Sequence, residues 1–279
     1  MSIKLGIIGI GFVGNAMMEN FISYGYKLHQ DLFVYDKYKN GGIGQFEDIL
    51  ETDILFLSLP TKYNLKEQSY DISCITDTLN QLIHYKYNGI IVIKSTLEPG
   101  TTKLLSERYN LDLVHNPEFL TARTAIDDFK NQKHIVLGKC IIHNQYKFDK
   151  LVDFYKMHFP NAELSLCESM ESESMKLFLN NFYAVKVQFF TELYLLCQKI
   201  NIDYNTIKDL MLKNGWINQM HTQIPGPDGN ISYSGLCFPK DTMALNFFME
   251  KLNVPHDVLT STINERNTMR NNDNINILL

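Results

Sequence analysis

The residues best suited to covalent chemistry lie in the segment 233–242, around Cys237. This segment has the sequence Tyr-Ser-Gly-Leu-Cys-Phe-Pro-Lys-Asp-Thr, and apolar residues recur at helical spacing after it. Pro239 and Asp241 favour the first turn of a helix, where proline needs no amide partner and a carboxylate meets the positive end of the dipole. A thiol at a helix N-terminus beside Lys240 is expected to have a lowered pKa and to be partly ionised, which predicts a covalent nucleophile. The alternative is that Cys237 is a small buried hydrophobic residue.

A second candidate group lies on a long helix predicted over residues 168–200, which contain no Pro or Gly. Lys176 and Asn180 are four residues apart and therefore share one face of that helix. An ammonium and an amide on one face can both donate to a single oxyanion. The alternative for Lys176 taken alone is an exposed surface lysine.

The first residues of the chain carry a pattern typical of dinucleotide binding. Residues 4–10 predict a buried strand, a glycine turn follows, residues 15–24 predict a helix, and residues 32–36 predict a second strand. The glycines permit a tight turn and a close approach of the backbone, and the helix N-terminus faces the pyrophosphate. The turn residues predicted to bind the cofactor are Gly9, Gly11, Phe12, Val13 and Gly14.

An acidic residue, Asp36, ends the second predicted strand. A carboxylate at this position bonds the ribose hydroxyls and repels a 2′-phosphate, so the pattern predicts NAD in preference to NADP. Lys37 and Lys39 follow directly and weaken that preference, since a cation attracts the extra phosphate.

Strand and helix patterns then alternate as far as Cys167, which predicts a doubly wound parallel (Rossmann) sheet of the α/β class. Ligands of such sheets bind at the carboxyl ends of the strands. Several polar residues follow predicted strands and are candidates for that edge, with ordinary turn or cap residues as the alternative. They are Thr61, Ser95, Thr96, Asn116 and Glu118.

The end of the strand pattern predicts two domains: an NAD-binding Rossmann domain over residues 1–167 and an all-α domain over residues 168–279. The long helix would form the spine of the second domain. Its broad apolar surface, which includes Phe182 and Phe189, indicates either an internal core or a dimer interface. A homodimer is expected.

Composition and charge exclude several classes of function. The 279 residues are 45% hydrophobic and 20% charged, which is typical of a soluble globular protein. The net charge of −5 and the scattered Lys and Arg indicate no nucleic-acid partner. Five widely spaced cysteines without a CxxC pattern predict neither disulfides nor a metal site. Without a leader peptide or a membrane-spanning run, the expected location is cytoplasmic, with no membrane partner.

Five motifs together resemble the UDP-glucose/GDP-mannose dehydrogenase family over nearly the whole chain. The run from Cys237 to Asp241 is specific to that family, and the other four are shared more widely. In order, the motifs are Gly9-x-Gly11-x-x-Gly14, Lys94-Ser-Thr96, Asn116-Pro-Glu-Phe-Leu120, Lys176-x-x-x-Asn180 and Gly235-x-Cys237-Phe-Pro-Lys-Asp241.

The resemblance implies a four-electron oxidation of the C6 hydroxyl of a nucleotide sugar, UDP-glucose to UDP-glucuronate, with two NAD consumed. It makes Cys237 the nucleophile that forms a thiohemiacetal and then a thioester. The other catalytic residues that it implies are Lys176 and Asn180 at the oxyanion, with Asp241, Thr96 and Glu118 in water or proton handling. Thr61 and Thr96 are also expected at the cofactor. The substrate-binding residues that it implies are Phe119, Leu120, Lys176, Asn180, Pro225, Gly226, Gly235 and Lys240.

Three features depart from the family pattern. Ala122 stands where the family has a glutamate that acts in thioester hydrolysis, so Glu118 or Asp241 would have to compensate. A serine, Ser234, replaces one glycine of a pair before the cysteine motif. The family's third, C-terminal nucleotide-binding domain is expected to be lacking from a chain of this length.

Two other functions stay open. A β-hydroxyacid dehydrogenase also joins a Rossmann domain to a helical domain and uses a Lys-x-x-x-Asn helix, but it transfers one hydride and needs no cysteine. A catalytically degenerate NAD-binding scaffold would turn over no nucleotide sugar. The number of NADH formed per substrate distinguishes the first of these, and turnover with any member of a panel of nucleotide sugars distinguishes the second.

Overall fold

The chain folds as two compact units in a computed structural model that describes residues 3–140, 142–270 and 277–278. The first unit comprises Met1–Thr61 and Asp71–Lys176, and the second comprises Lys62–Tyr70 and Leu177–Leu279. The units therefore part within the long helix, whereas the predicted domain boundary after residue 167 stays a prediction.

Strands and helices are numbered in chain order. The strands are β1 (Leu5–Ile8), β2 (Leu32–Tyr35), β3 (Ile54–Leu57), β4 (Tyr63–Asn64), β5 (Ser69–Tyr70), β6 (Ile90–Ile93), β7 (Leu113–His115), β8 (His134–Lys139), β9 (Glu163–Glu168) and β10 (Ile277–Leu278). The helices are α1 (Phe12–Ser23), α2 (Phe46–Ile49), α3 (Ser73–His84), α4 (Thr101–Tyr109), α5 (Ala125–Lys130), α6 (Gln145–His158), α7 (Ser169–Lys199), α8 (Tyr204–Lys213), α9 (Phe238–Lys251) and α10 (Asp257–Met269).

The first unit is a doubly wound α/β sheet, as predicted. Its described strands form one seven-stranded sheet in the order β2-β1-β3-β6-β7-β8-β9. All neighbouring strands in this sheet are parallel except β7 and β8, which pair antiparallel. The sequence did not predict that one reversal, because an apolar run has the same pattern in either direction.

Alternating residues of the central strands face two separate apolar clusters, as the twofold side-chain period of a strand requires. Ile54 and Phe56 belong to the cluster that also contains residues of α1, α5 and α6. Leu55 and Leu57 belong to the cluster that contains residues of α2, α3 and α4. Both faces of the sheet are therefore covered by helices, which explains the continuous apolar runs in the sequence.

The long helix α7 has 31 residues, about 46 Å at 1.5 Å per residue. Its first turns stay with the first unit because two buried side chains bond groups there. Ser172 Oγ lies 2.8 Å from His115 Nδ1, and the Glu173 carboxylate accepts bonds from the backbone amides of Gly100 and Thr102. Glu173 thereby satisfies amides at the start of α4, which has no side-chain cap of its own.

The second unit is mainly helical. Its core contains buried residues of α7, including Ala184, Val187 and Phe190, together with Tyr204 and Ile224. The all-α prediction is incomplete, because the described part of this unit also contains a small sheet in the order β10-β4-β5. Strands of two residues have no hydrophobic period that a sequence pattern could reveal.

Candidate functional site

The glycine turn between β1 and α1 has the geometry that close backbone packing requires. Gly9 has a φ of +91°, a backbone conformation that residues other than glycine rarely adopt. A Cβ on Gly14 would collide with the carbonyl oxygen of Gly9. Gly11 is the N-cap of α1 and offers no side-chain cap, so the first-turn amides of this helix face outward for a ligand.

The carboxylate of Asp36 lies beside this turn. Its Oδ2 accepts a hydrogen bond from the amide of Ile10 at 2.7 Å, and Oδ1 accepts from the amides of Tyr38 and Lys39. Partial burial raises the pKa of Asp36, but these three amide bonds outweigh it and hold the pKa below its ordinary value. Asp36 is therefore anionic at neutral pH.

A cavity of about 510 Å³ lies against the turn and is lined by Ile10, Gly11, Phe12, Asn15, Asp36 and Lys39. These residues fit a dinucleotide: a helix N-terminus for the pyrophosphate, an anionic acceptor for the ribose and space next to glycine. Lys39 also lines the cavity, and its Nζ donates to the Ile10 carbonyl at 2.5 Å. The partly buried side chain of Val13 packs against the apolar core.

A second polar group of the first unit surrounds Lys176, which is buried. Its Nζ lies 3.8 Å from Glu118 Oε1 and 5.3 Å from the centre of the Phe119 ring. Glu118 Oε2 accepts a bond from the Leu120 amide. The structure thus brings together four predicted site residues, and Lys176 is not the exposed lysine of the alternative interpretation.

A second buried lysine, Lys94, lies near this group, and the sequence did not reveal its role. Lys94 Nζ donates to Asn116 Oδ1 at 2.6 Å, and the Tyr155 hydroxyl donates to the same oxygen at 2.5 Å. Burial lowers the pKa of Lys94 to about 7; nearby Glu118 opposes the shift and Lys176 adds to it. The position of Lys94 directly after β6 was the signal that could have marked it.

The remaining polar residues of this strand edge form hydrogen bonds mainly to backbone groups of the first unit. The Thr61 hydroxyl donates to the Thr96 carbonyl at 2.9 Å, so these two predicted cofactor residues are in contact. The Ser95 hydroxyl donates to the Leu59 carbonyl. His115 is fully buried, and burial lowers its pKa to about 3, so it is neutral.

The second unit places Cys237 as the N-cap residue of α9. The helix begins one residue later, so Pro239 is its second residue and Asp241 lies in its first turn. The Asp241 amide donates to the Cys237 carbonyl at 3.0 Å, which is the first bond of the helix. The half-buried Cys237 therefore lies at the positive end of the helix dipole.

Asp241 is fully buried, and side chains from separate segments donate to its carboxylate. Oδ1 accepts from Lys240 Nζ at 2.6 Å and from the Tyr70 hydroxyl at 2.5 Å, and Oδ2 accepts from Asn180 Nδ2 at 2.6 Å. A neighbouring amide, Asn181 Nδ2, donates to the Asp241 carbonyl. The Lys240 charge is thus paired with Asp241, whereas the sequence had placed it beside the thiol.

The loop before the cysteine segment is held by α10 and its C-terminal cap. The Arg270 guanidinium forms two bonds to the Asp228 carboxylate, at 2.7 and 3.1 Å, and its Nε donates to the Ile231 carbonyl. The Gly226 amide donates to the Asn230 carbonyl, which closes the turn after Pro225. Gly235 has a φ of +90° immediately before the cysteine motif.

Within the described residues, no group of three or more His, Cys, Asp or Glu side chains has the arrangement needed for a metal ion. In the same part of the chain, no helix is both long enough and apolar enough to cross a membrane.

The sheet order, the glycine turn and the acid after β2 define a dinucleotide-binding protein of the Rossmann class. The chain belongs to the UDP-glucose/GDP-mannose dehydrogenase family: the NAD binding domain of that family matches residues 42–157, and its central domain matches residues 170–268. The predicted family and the predicted cofactor, NAD, are confirmed.

Named relatives agree with this assignment. The chain is 29% identical over 226 residues to UDP-glucose 6-dehydrogenase of Rickettsia bellii, covering 78% of this chain and 50% of that protein. It spans about half the length of most of the curated relatives that it matches.

Solved structures share the fold. A UDP-glucose dehydrogenase from Pyrobaculum islandicum superposes with a TM-score of 0.81 at 21% identity, covering 97% of this chain and 69% of that one. A 3-hydroxyisobutyrate dehydrogenase from Mycobacterium tuberculosis superposes with a TM-score of 0.71 at 15% identity, covering 98% and 95%. At these identities the superpositions establish the fold alone, and the fold is shared by both classes of dehydrogenase considered from the sequence.

Proposed function

We propose that this chain oxidises the C6 hydroxyl of a nucleotide sugar to a carboxylate, UDP-glucose to UDP-glucuronate, in two NAD-dependent steps through Cys237. The observation that carries the proposal is the position of Cys237 at the start of α9, with Asn180 and Asp241 bonded to each other in the same unit. A β-hydroxyacid dehydrogenase has no need of a thiol held in that way. Family membership supports the same chemistry.

In the first step the C6 alcohol loses a proton and a hydride and becomes an aldehyde. NAD, when bound, accepts one hydride in each of the two oxidations. Lys176 is proposed to stabilise the alkoxide through its ammonium, which the Phe119 ring and the Glu118 carboxylate hold in place. Fixed donors at a developing oxyanion give the largest single contribution in sites of this kind.

In the second step the Cys237 sulfur bonds to the aldehyde carbon, and the carbonyl oxygen becomes the hydroxyl of a thiohemiacetal. Loss of a proton and a second hydride gives a thioester. Water then adds to the thioester carbon, the carbon–sulfur bond breaks, and the carboxylate leaves as the thiol is restored. Asn180 is proposed to donate to the oxyanion, while Asp241 and Thr96 orient the water and handle its protons.

Ala122 is exposed and supplies no carboxylate to this hydrolysis. Glu118 is the carboxylate that lies beside Lys176, and we assign the missing proton-handling role to it. The substrate-binding set is proposed to include Phe119 and Leu120 in the first unit. In the second unit it is proposed to include Pro225, Gly226, Gly235 and Lys240.

The deciding experiment is NADH release with UDP-glucose, GDP-mannose and UDP-N-acetylhexosamines, followed by mass analysis of the product. We expect UDP-glucose to give two NADH per sugar and a product heavier by one oxygen and lighter by two hydrogens. One NADH per substrate would favour a β-hydroxyacid dehydrogenase. No turnover with any of these sugars would favour a degenerate NAD-binding scaffold.

We also propose that a second copy of the chain covers the exposed apolar face of α7. Phe178, Phe182, Phe189 and Leu196 follow one another at intervals of four and seven residues, which places them on one face. Each is more than half exposed.

Sedimentation at micromolar concentration should give a dimer, and Phe182→Glu with Phe189→Glu should give a monomer. The matched control is Leu210→Glu, an equally exposed apolar residue on α8. A monomeric wild-type chain would contradict the proposal.

A further inference from the structure

The segment Lys62–Tyr70 lies in sequence between a strand and a helix of the first unit, yet it folds as part of the second. It forms the hairpin of β4 and β5, in which Tyr63 pairs with Tyr70. The Tyr63 ring stacks on Phe247 of α9, with centroids 6.1 Å apart and an interplanar angle of 14°. The hairpin is therefore anchored on the helix that begins after Cys237.

The end of this hairpin reaches the buried charge pair of the cysteine site. The Tyr70 hydroxyl donates to Asp241 Oδ1 at 2.5 Å, and the Lys240 Nζ lies 4.5 Å from the centre of the Tyr70 ring. One aromatic side chain thus contacts both members of the pair, the carboxylate through its hydroxyl and the ammonium through its π face. Tyr70, Lys240 and Asp241 are all buried.

We infer that Tyr70 is a positioning residue of the cysteine site, and this inference rests on the proposed function. Its hydroxyl fixes the rotation of the Asp241 carboxylate, and its ring keeps the Lys240 ammonium on Oδ1. A carboxylate offers about four acceptor positions. Tyr70 and Lys240 use both positions on Oδ1, and Asn180 uses one on Oδ2. The position left on Oδ2 is then the one that receives the proton or the water of thioester hydrolysis.

A purely structural role for the hairpin would give a different result from a positioning role. Removing the hydroxyl while keeping the ring leaves the stacking and the contact with Lys240 in place. Asp241 then loses one of three fixed donors and gains rotational freedom at the point where it acts. Misplacement of a catalytic group by about 1 Å can cost about 100-fold in rate, so turnover falls while binding of the sugar nucleotide is preserved.

The test compares Tyr70→Phe, Tyr70→Leu and Tyr204→Phe with the wild-type chain. Tyr204 is a matched control, because it is a buried tyrosine of the same unit whose hydroxyl donates at 2.7 Å to the carbonyl of Thr222, a residue outside the cysteine motif. We expect Tyr70→Phe to lower kcat by about tenfold or more with KM changed by less than about threefold. Tyr70→Leu should be slower still, and Tyr204→Phe should keep both constants within about twofold. Equal kcat values for Tyr70→Phe and Tyr204→Phe would overturn the inference, as would a rise in KM alone.

A second measurement does not depend on turnover. The free energies of unfolding of Tyr70→Phe, Asp241→Asn and the double variant form a thermodynamic cycle, with Tyr204→Phe and Asp241→Asn as the control cycle. We expect the effects of the first pair to be non-additive and those of the control pair to add. If Asp241→Asn does not fold, Asn180→Ala replaces it, since it removes another donor to the same carboxylate.

The two measurements separate the possible failures. A wild-type chain that forms no NADH from any nucleotide sugar refutes the proposed function, and the unfolding cycle still decides whether Tyr70 fixes Asp241. An additive cycle refutes the role of Tyr70 even if the wild-type chain is fully active.

Discussion

The cofactor region of the first unit and the cysteine region of the second are formed by different kinds of chemical group. The cofactor region consists mostly of backbone groups from one short stretch, Gly9 to Gly14, with one carboxylate, Asp36, that accepts from three amides. The cysteine region consists of side chains, with Tyr70, Asn180 and Lys240 all donating to Asp241. The first depends on the shape of the main chain, and the second depends on the pairing of buried charge.

This difference determines how each region should respond to substitution. A half-buried carboxylate such as Asp36 is partly solvated, so its loss is compensated by water. A fully buried one such as Asp241 has only protein donors, and its loss leaves an ammonium without a counter-charge. The cysteine region should be more sensitive to changes of charge, and the cofactor region to changes of volume.

The largest expected effect is on turnover at Cys237. Cys237→Ser should abolish the four-electron reaction or stop with sugar attached, because a serine without a dedicated base is a poor nucleophile and its ester is more stable than a thioester. Mass spectrometry of the protein after incubation with substrate and NAD detects the adduct. Cys74→Ser, a half-buried cysteine on α3, is the control and should be fully active. Full four-electron turnover by Cys237→Ser would reject the covalent mechanism.

The second-largest effect on turnover is expected from replacing Lys176, the proposed oxyanion donor. Lys176→Ala should reduce kcat by roughly 100- to 1000-fold, the typical result of losing one such donor. Circular dichroism and thermal unfolding check that the variant stays folded. Lys133→Ala, an exposed lysine of the first unit, controls for the loss of a positive charge. A Lys176→Ala variant with wild-type kcat would remove Lys176 from the catalytic set.

Replacing Asp241 and replacing Asp36 should lower the free energy of unfolding by different amounts. Asp241→Asn should lower the free energy of unfolding by about 3 kcal/mol, because it leaves the Lys240 ammonium buried and unpaired. Asp36→Asn should cost clearly less. The pKa of Asp36 is depressed in the folded protein, so its contribution is present above the unfolded value of about 4 and is lost as the pH falls through the lower folded value. Denaturant titrations at pH 7 compare the two variants, and titrations at about pH 2 show the loss for Asp36. Equal losses at pH 7 would mean that burial does not distinguish these sites.

Added side-chain volume should have its largest effect on NAD affinity at the glycine turn. Gly14→Ala adds a Cβ that meets the Gly9 carbonyl, so the turn must open and NAD affinity should fall by about tenfold or more. Gly215→Ala tests a glycine whose Cβ would meet no atom within 4 Å, although its φ of +85° adds strain. Calorimetric titration with NAD measures the affinity. Unchanged affinity in Gly14→Ala would contradict the packing argument.

The smallest effect concerns the choice between NAD and NADP. Lys39 lines the cavity beside Asp36 and attracts a 2′-phosphate that the carboxylate repels. Lys39→Gln should therefore increase the preference for NAD by a few-fold, and Asp36→Asn should reduce it. Parallel titrations of both cofactors with Lys37→Gln, a lysine outside the cavity lining, provide the comparison. Tighter binding of NADP than of NAD by the wild-type chain would remove Asp36 from its assigned role.

Much of the first unit follows from local sequence. The strands, the helices on both faces and the glycine turn could be predicted because each leaves a periodic or positional pattern within about 30 residues. The antiparallel pair β7–β8 could not, since it depends on the path of the chain between two apolar runs. The small sheet of the second unit was missed for a related reason, because β4 and β5 have two residues each.

The sequence by itself determined the residue types that do chemistry: a cysteine before a helix, a lysine and an asparagine four apart, and a glycine turn followed by an acid. These patterns are local, and the backbone geometry of a helix or a turn fixes what they mean. Tertiary structure decided which groups surround them. Tyr70 reaches Asp241 across 171 positions of the chain, and Lys94 reaches Asn116 across 22. Buried charges must find donors somewhere in the fold, and only the folded chain decides which residues those are.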